Sequence, residues 1–275
     1  MKQFLKKSIV IIICLIIMYV AFGIILYVQQ DKLIYHPTQR DTREFMQQMP
    51  KFQEVSYFLP SGKKVYAWYL KAEKGKQTLV YFHGNIKYAE YHASRLKAFY
   101  EAGYGLLLTE YVGYGDIKGT PSQQQMETDA KTAVKYLNSI GISNQQIVAY
   151  GHSLGTYSAV YVAAQQPKSK PLNGVILEAP FFSIEQMAKE YVKGLYPISV
   201  ILKNKHPSNQ YIKQINTRLF LAHGQKDKTV PYHHGWQLYE EANHPKTFFT
   251  SENGEHSNLS QYGFIQSVGE WLQEK

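Results

Sequence analysis

The chain has 275 residues, 44% of them apolar and 19% charged, which excludes a disordered chain and suits one large domain with appendages. Its one cysteine, Cys14, excludes an internal disulfide framework and a cysteine-rich metal site. The formal net charge is +9, but the lysines are scattered without a basic stripe, so nucleic-acid recognition is set aside while contact with an anionic membrane surface stays open.

Residues 8 to 28 run from Ser8 to Val28 without a charge. As a helix they span roughly 30 Å, the thickness of a hydrocarbon core. Lys2, Lys6 and Lys7 precede them. The run exceeds the usual signal-peptide core and no small-x-small cleavage site closes it, so the reading is an uncleaved anchor. A lipoprotein reading through Cys14 fails, because bulky Ile13 precedes it and the cysteine lies within the run. The short lysine-bearing tail is expected on the cytoplasmic side, which places residues 29–275 outside the cytoplasm. The expected organisation is thus a tail and transmembrane anchor over 1–28 and one large domain over 29–275.

Beyond the anchor, Val55–Leu59 and Val65–Lys71 flank a Pro-Ser-Gly turn and predict an antiparallel hairpin. Buried-type strands then alternate with helical stretches. Strands are predicted at Thr78–His83, Gly105–Glu110, Ile147–Tyr150, Gly174–Ala179, Arg218–His223 and Lys246–Thr250. Helices are predicted near Tyr88–Ala102 and over Gln123–Ile140, Leu154–Gln165, Tyr232–Ala242 and Asn258–Gln273. The pattern predicts an α/β domain with about eight strands, mostly parallel, and helices on both faces. A stretch of about 36 residues between Phe181 and Arg218 exceeds what a crossover needs and is expected to form a small helical cap, about 182–217, over the carboxyl ends of the strands.

The chemical signal is Gly151-His152-Ser153-Leu154-Gly155, directly after a strand and directly before a helix. This is the G-x-S-x-G nucleophile elbow in its required context. Ser153 must sit on a sharp turn to project its hydroxyl above the sheet, and Gly151 and Gly155 avoid collision with neighbouring backbone. A serine needs a base held by an acid. Asp227 and His256 follow the next strands in the expected order and are the candidate acid and base. Glu178, ending the Gly174–Ala179 strand, is the rival acid. Candidate oxyanion donors are the backbone N–H groups of Leu154 and of Asn85 in His83-Gly84-Asn85. Of the other histidines, His83, His152 and His223 flank glycines at strand ends and are expected to brace loops. His36 and His206 precede prolines and read as turn residues. His233, His234 and His244 fit solvated or capping roles, and no metal-ligand set is expected.

Together these residues resemble the serine α/β-hydrolase superfamily, and within it the membrane-anchored Bem-type branch. The resemblance takes in Asp31-Lys32-Leu33-Ile34-Tyr35-His36-Pro37 after the anchor, Tyr81-Phe82-His83-Gly84-Asn85, Gly113-Tyr114-Gly115, Pro121-Ser122, Asp129-Ala130, the elbow, Leu177-Glu178-Ala179-Pro180-Phe181 and the Asp227 and His256 loops. It implies the α/β-hydrolase fold and a Ser-His-Asp hydrolase. Related branches include thioesterases that remove fatty acyl groups, and peptidase-like members. The family's Tyr-Arg-Gly-Tyr-Gly turn reads Tyr111-Val112-Gly113-Tyr114-Gly115 here, a serine usual soon after is replaced near Ile117, and the Gly-Gly-His before the base reads Gly254-Glu255-His256.

The expected activity is cleavage of carboxylic ester or thioester bonds in a small-molecule or lipid-like acyl substrate, with no cofactor and no metal. A peptidase or amidase on the same residues and a catalytically silent membrane scaffold are the alternatives. A dehalogenase would need an aspartate where Ser153 stands.

Overall fold

Polar backbone groups in lipid must be satisfied within the segment itself, and a helix does this at any apolar sequence. In the computed structural model, which describes residues 2–274, the amino-terminal run accordingly forms one helix, α1 (Lys2–Ile34). It is long and apolar enough to cross a membrane. It continues past Val28 into the domain, where Gln30 is buried and Tyr35, just after the helix, joins the core.

The chain then forms β1 (His36–Pro37), α2 (Arg43–Gln48), β2 (Gln53–Phe58), β3 (Lys64–Leu70), β4 (Thr78–Phe82) and β5 (Ile86–Lys87). A 3-10 helix (Ala89–Leu96) leads into α3 (Lys97–Glu101), followed by β6 (Gly105–Thr109), α4 (Gln123–Ser139), β7 (Ile147–His152), α5 (Gly155–Ala164) and β8 (Gly174–Glu178). Three short helices, α6 (Ile184–Tyr191), α7 (Ile198–Ile201) and α8 (Ser208–Ile212), precede β9 (Leu219–Gly224), α9 (Tyr232–Glu241), β10 (Lys246–Ser251) and α10 (Phe264–Gln273).

The main sheet has eight strands in the order β10-β9-β8-β7-β4-β6-β3-β2. β2, β3 and β6 pair antiparallel and the others parallel. All eight predicted strands are present, with the hairpin at one edge. The physical reason for their legibility is burial. Every residue of β4, β6, β7, β8 and β9 is buried, so these strands read as continuous apolar runs covered on both faces. One face packs α4 and α5 through Ala133, Leu137, Val160 and Val162. The other packs α3 and α10 through Phe99, Phe264, Val268 and Trp271.

Two features went beyond the sequence pattern. β1 and β5 form a separate two-stranded parallel sheet that ties the end of α1 to the loop after β4. Two-residue strands carry no periodicity to detect. The stretch expected as one helix near Tyr88–Ala102 is mostly 3-10 helix before it becomes α3.

β6 lies on one side of β4 and β7 on the other. The winding therefore reverses beside β4, and the carboxyl ends of β4 and β7 bound a crevice of the kind in which open α/β sheets hold ligands.

Asp129 on α4 fixes the turn that follows β6. Its carboxylate accepts from the Val112 backbone N–H at 3.1 Å and from Gln125 Nε2 at 2.8 Å. Burial pushes this carboxyl up to about 7, against the lowering pull of those two donors. A carboxyl raised on folding binds its proton more tightly in the native state, so its contribution is complete below about pH 4 and fades as pH rises through 7. The melting-temperature difference between the native chain and Asp129→Asn, measured across pH 4–8, is expected to shift against the native chain as pH rises. A difference that stays flat across that range would contradict this.

Candidate active site

Ser153 closes a strand–turn–helix junction whose backbone is strained. Its φ is +51°, in the left-handed region that non-glycine residues rarely occupy. The junction also lies close to its neighbours. A Cβ at Gly155 would stand 2.1 Å from the Phe82 carbonyl oxygen, and one at Gly151 would stand 2.5 Å from the Gly155 carbonyl oxygen. The Ser153 N–H is satisfied by the Glu178 carbonyl of the adjacent strand at 2.9 Å.

The loops after β9 and β10 are laced together. Gln225 N–H donates to Ser251 O, and Lys226 N–H to Gly254 O, both at 2.9 Å. A Cβ on Gly224 would stand 2.2 Å from Gly254 O, so only glycine permits this approach. The lacing sets Asp227 against His256, with Asp227 Oδ2 2.7 Å from His256 Nδ1. His256 Nε2 lies 2.9 Å from Ser153 Oγ. The structure thus brings Ser153, His256 and Asp227 together, although they lie far apart in the chain.

Asp227 is held on both oxygens. Oδ1 accepts from the Thr229 and Val230 N–H groups at 2.8 and 2.9 Å, and Oδ2 also meets His223 Nε2 at 3.3 Å. Burial would raise this carboxyl, but the hydrogen bonds from His223 and His256, the charge of His256 and the Val230 N–H together hold it well below the ordinary range. It is a carboxylate at neutral pH, able to orient an imidazole and to stabilise its protonated form.

The rival acid has another task. Glu178 accepts from Arg95 Nη1 and from the Tyr150 hydroxyl, each at 2.6 Å. Arg95 also donates to the carbonyl of Ser257, next to His256, at 3.3 Å. The helical pattern around Tyr88–Ala102 did not reveal Arg95. The available signal was Glu178 itself, since an acid at the end of a buried strand requires a cation.

The bracing histidines behave as loop supports. His83 bonds Gly84 O at 2.7 Å and Glu110 at 2.8 Å. His223 bonds Val230 O at 2.9 Å, and His152 Nε2 bonds His256 O at 3.3 Å. Burial, then the charges of Arg95 and His256, push the His152 imidazole well below its ordinary range. A neutral His152 adds no charge beside His256.

The candidate oxyanion donors flank the serine. A Cβ on Gly84 would stand 3.6 Å from Ser153 Cβ, which places the loop after β4 against the nucleophile position. Asn85 is fixed by its carbonyl, which accepts from the His36 N–H at 2.8 Å and the Tyr114 hydroxyl at 2.9 Å, and by its side chain, which donates to Ile34 O at 3.1 Å. Among the described residues, neither the Asn85 N–H nor the Leu154 N–H has an acceptor.

A cavity of about 970 Å³ opens at Ser153 and His256. It runs between α2, the 3-10 helix and the start of α10, with Phe45, Met49, Tyr91 and Phe264 on its walls. No residue of 182–217 lines it, although the insertion does meet the carboxyl end of the sheet, where Asn204 Oδ1 accepts from the Gln123 N–H at the start of α4 at 2.8 Å and the His206 ring centroid lies 4.8 Å from that of Tyr157 in the first turn of α5. The insertion also packs α8 on α5 and α7 beside α1, with Gln30 of α1 donating to Ile201 O at 3.1 Å. The walls come from α2 and the 3-10 helix, whose short irregular segments carry no strong sequence signal.

Glu190, His233 and His234 gather with candidate ligand atoms within 4.8 Å of one another, where solvated or capping histidines were expected. His234 Nδ1 accepts from the Phe182 N–H at 3.4 Å, so its proton lies on Nε2, which faces Glu190 at 3.1 Å. That arrangement is a hydrogen bond and leaves no Nε2 lone pair for an ion.

Residues 73–212 match the family model described as serine aminopeptidase, S33. The membrane protein YNL320W of Saccharomyces cerevisiae is 27% identical over 262 residues, covering 91% of each chain. Lysophosphatidylserine lipase ABHD12 of Mus musculus is 28% identical over 202 residues, 66% of this chain and 49% of that protein. The esterase Pf2001 of Pyrococcus furiosus superposes with a TM-score of 0.69 at 17% identity, over 87% of this chain and 97% of that one, and shares the fold. From before β4 through α8, elbow included, the sequence fits that one model, and the chain belongs to the serine aminopeptidase S33 family of α/β-hydrolases and is a serine hydrolase.

Proposed function

We propose that the protein is a membrane-anchored hydrolase that cleaves carboxylic ester or thioester bonds through Ser153, His256 and Asp227. The observation that carries this is the unbroken hydrogen-bonded row from Asp227 Oδ2 through His256 to Ser153 Oγ, at 2.7 and 2.9 Å, opening on the cavity. With its proton on Nδ1 facing Asp227, His256 offers the Nε2 lone pair to the serine hydroxyl. Ser153 Oγ attacks the acyl carbon and its proton passes to Nε2. The oxyanion is met by the free N–H groups of Leu154 and Asn85. The tetrahedral adduct expels an alcohol or thiol, which takes the proton from Nε2 and leaves an acyl-serine. Water then attacks this ester, giving its proton to His256, and collapse releases the carboxylic acid and restores the serine hydroxyl.

Apolar walls and the amino-terminal helix favour an acylated or lipid-like substrate, and the relative ABHD12 is a lysophosphatidylserine lipase. The anchor reading rests on the length and composition of α1 and on the likeness to the membrane protein YNL320W. The lysines that precede the apolar run support a catalytic domain outside the cytoplasm.

The family description favours an aminopeptidase as the second reading. Such an enzyme needs a free carboxylate near the nucleophile for the substrate ammonium. Of the two buried acids of the cavity, Glu178 is engaged on both oxygens, by Arg95 and Tyr150, whereas Glu90 meets Arg40 and Trp68 through Oε1 alone and keeps Oε2 without a partner, so the preference for ester chemistry rests on the apolar walls and the amino-terminal helix. Side-by-side turnover of p-nitrophenyl acyl esters, acyl-thioesters and aminoacyl anilides is expected to show acyl substrates ahead, and a faster anilide reaction would reverse the assignment.

Ser153→Ala is expected to abolish labelling by a fluorophosphonate and to lower turnover by about 10⁶-fold, and a variant that kept full turnover would displace Ser153 from its role. Asp227→Asn is expected to keep the fold, read by circular dichroism, while kcat falls about 10⁴-fold through loss of the correct imidazole tautomer. A loss under tenfold would remove Asp227 from the mechanism.

A further inference from the structure

α1 does not stand free of the domain along its whole length. The Tyr19 ring stacks on the Tyr196 ring, with centroids 4.5 Å apart and planes 6° apart. The Tyr19 hydroxyl donates to Leu195 O at 2.8 Å, and the Tyr196 hydroxyl donates to Tyr19 O at 3.0 Å. Gly23 admits this approach, since a Cβ there would stand 3.2 Å from the Tyr196 ring. Nearer the domain, Lys203 Nζ lies 4.2 Å over the Tyr27 ring, and the Lys203 N–H donates to Gln30 Oε1 at 2.7 Å. The insertion is therefore docked along the carboxyl-terminal half of the apolar helix.

Length then decides where the insertion lies. The part of the apolar run that is free of it, Ser8 to Met18, spans only about 17 Å at 1.5 Å per residue, roughly half of a hydrocarbon core. The helix can cross a bilayer only if the turns from Tyr19 to Val28 also lie in lipid, and whatever is fixed to Tyr19 goes with them. Tyr19 lies about 13 Å from Val28 along the helix axis.

The surface of the insertion suits that place. Tyr191, Leu195 and Val200 are 92%, 68% and 82% exposed, a cluster of large apolar side chains that water disfavours. Its irregular backbone is largely satisfied from within, as lipid requires. The N–H groups of Val192, Lys193, Leu195, Ile198 and Val200 all have backbone acceptors, and Leu195 O has the Tyr19 hydroxyl. Lys193, exposed at the tip, has a stem long enough to carry its ammonium to the interface.

We infer that the tip of the insertion, Tyr191 to Val200, is a second membrane contact, seated in the acyl region of the same leaflet as the domain-proximal half of the anchor. It would hold the catalytic domain to the bilayer at two points, where a single helix would leave it free to swivel. The inference rests on α1 being a membrane anchor, as proposed above.

The test uses the full chain in phosphatidylcholine–phosphatidylglycerol vesicles. A nitroxide is placed on native Cys14, which reports on the anchor, and in a Cys14→Ser background on Val200→Cys or on Lys168→Cys, an exposed residue remote from α1 that serves as the water reference. Fluorophosphonate labelling of each variant confirms a folded site. Expected is a ratio of oxygen to water-soluble nickel accessibility severalfold higher at Cys14 and at residue 200 than at residue 168. A lipid-like Cys14 label with a residue-200 label matching residue 168 overturns the second contact and leaves the anchor standing. A water-exposed Cys14 label overturns the anchor and the inference with it.

Discussion

The turn between β7 and α5 approaches β4 so closely that side-chain volume there is forbidden. With 2.1 Å between a Cβ at position 155 and the Phe82 carbonyl oxygen, any larger residue would force the helix off the sheet. That contact sets where the amino end of α5 points and how far Ser153 stands above the strand ends. It also fixes how near Gly84 and Asn85 come to the serine. The strained φ of Ser153 is held by what surrounds it: the β8 backbone accepts its N–H, and α5 is buried along nearly its whole length.

The other half of the site is held by lacing between loops. Neither the loop after β9 nor the loop after β10 is regular structure, yet the two share backbone hydrogen bonds and a close Gly224–Gly254 contact. Arg95 extends this support from the other side, joining Glu178 on the sheet to the carbonyl beside His256. The buried Glu178–Arg95 pair belongs to a class of interaction that adds little net stability but is costly to break on one side. Its position links the geometry of the histidine loop to the wall of the cavity.

Sequence made the fold legible where burial was uniform. The parallel strands are covered on both faces and announced themselves as apolar runs, and the glycines of the elbow marked the turn. Ser153, Asp227 and His256 stood out as candidates because each follows a strand in the order this topology requires, and the structure places them in hydrogen-bond contact. What could not be read lies where spatial neighbours replace periodicity. Arg95 and Glu178 are 83 residues apart, the strands of the small sheet have two residues each, and the cavity walls come from short irregular segments. The insertion was recognisable as an interruption, but length alone gave no direction. It packs against α1 and does not line the cavity, because its aromatic and polar groups find partners on the apolar helix.

The small sheet of β1 and β5 has a practical bearing on how the enzyme can be handled. His36 N–H and Ile34 O both bond Asn85, so the segment that emerges from the helix is a strut for the loop that carries the proposed second oxyanion donor. Trimming the amino end to gain solubility therefore has a boundary set by this strut. A cut upstream of Ile34 spares it, whereas one made beyond Pro37 would leave Asn85 held by the Tyr114 hydroxyl alone while Ser153, His256 and Asp227 all remained in the chain.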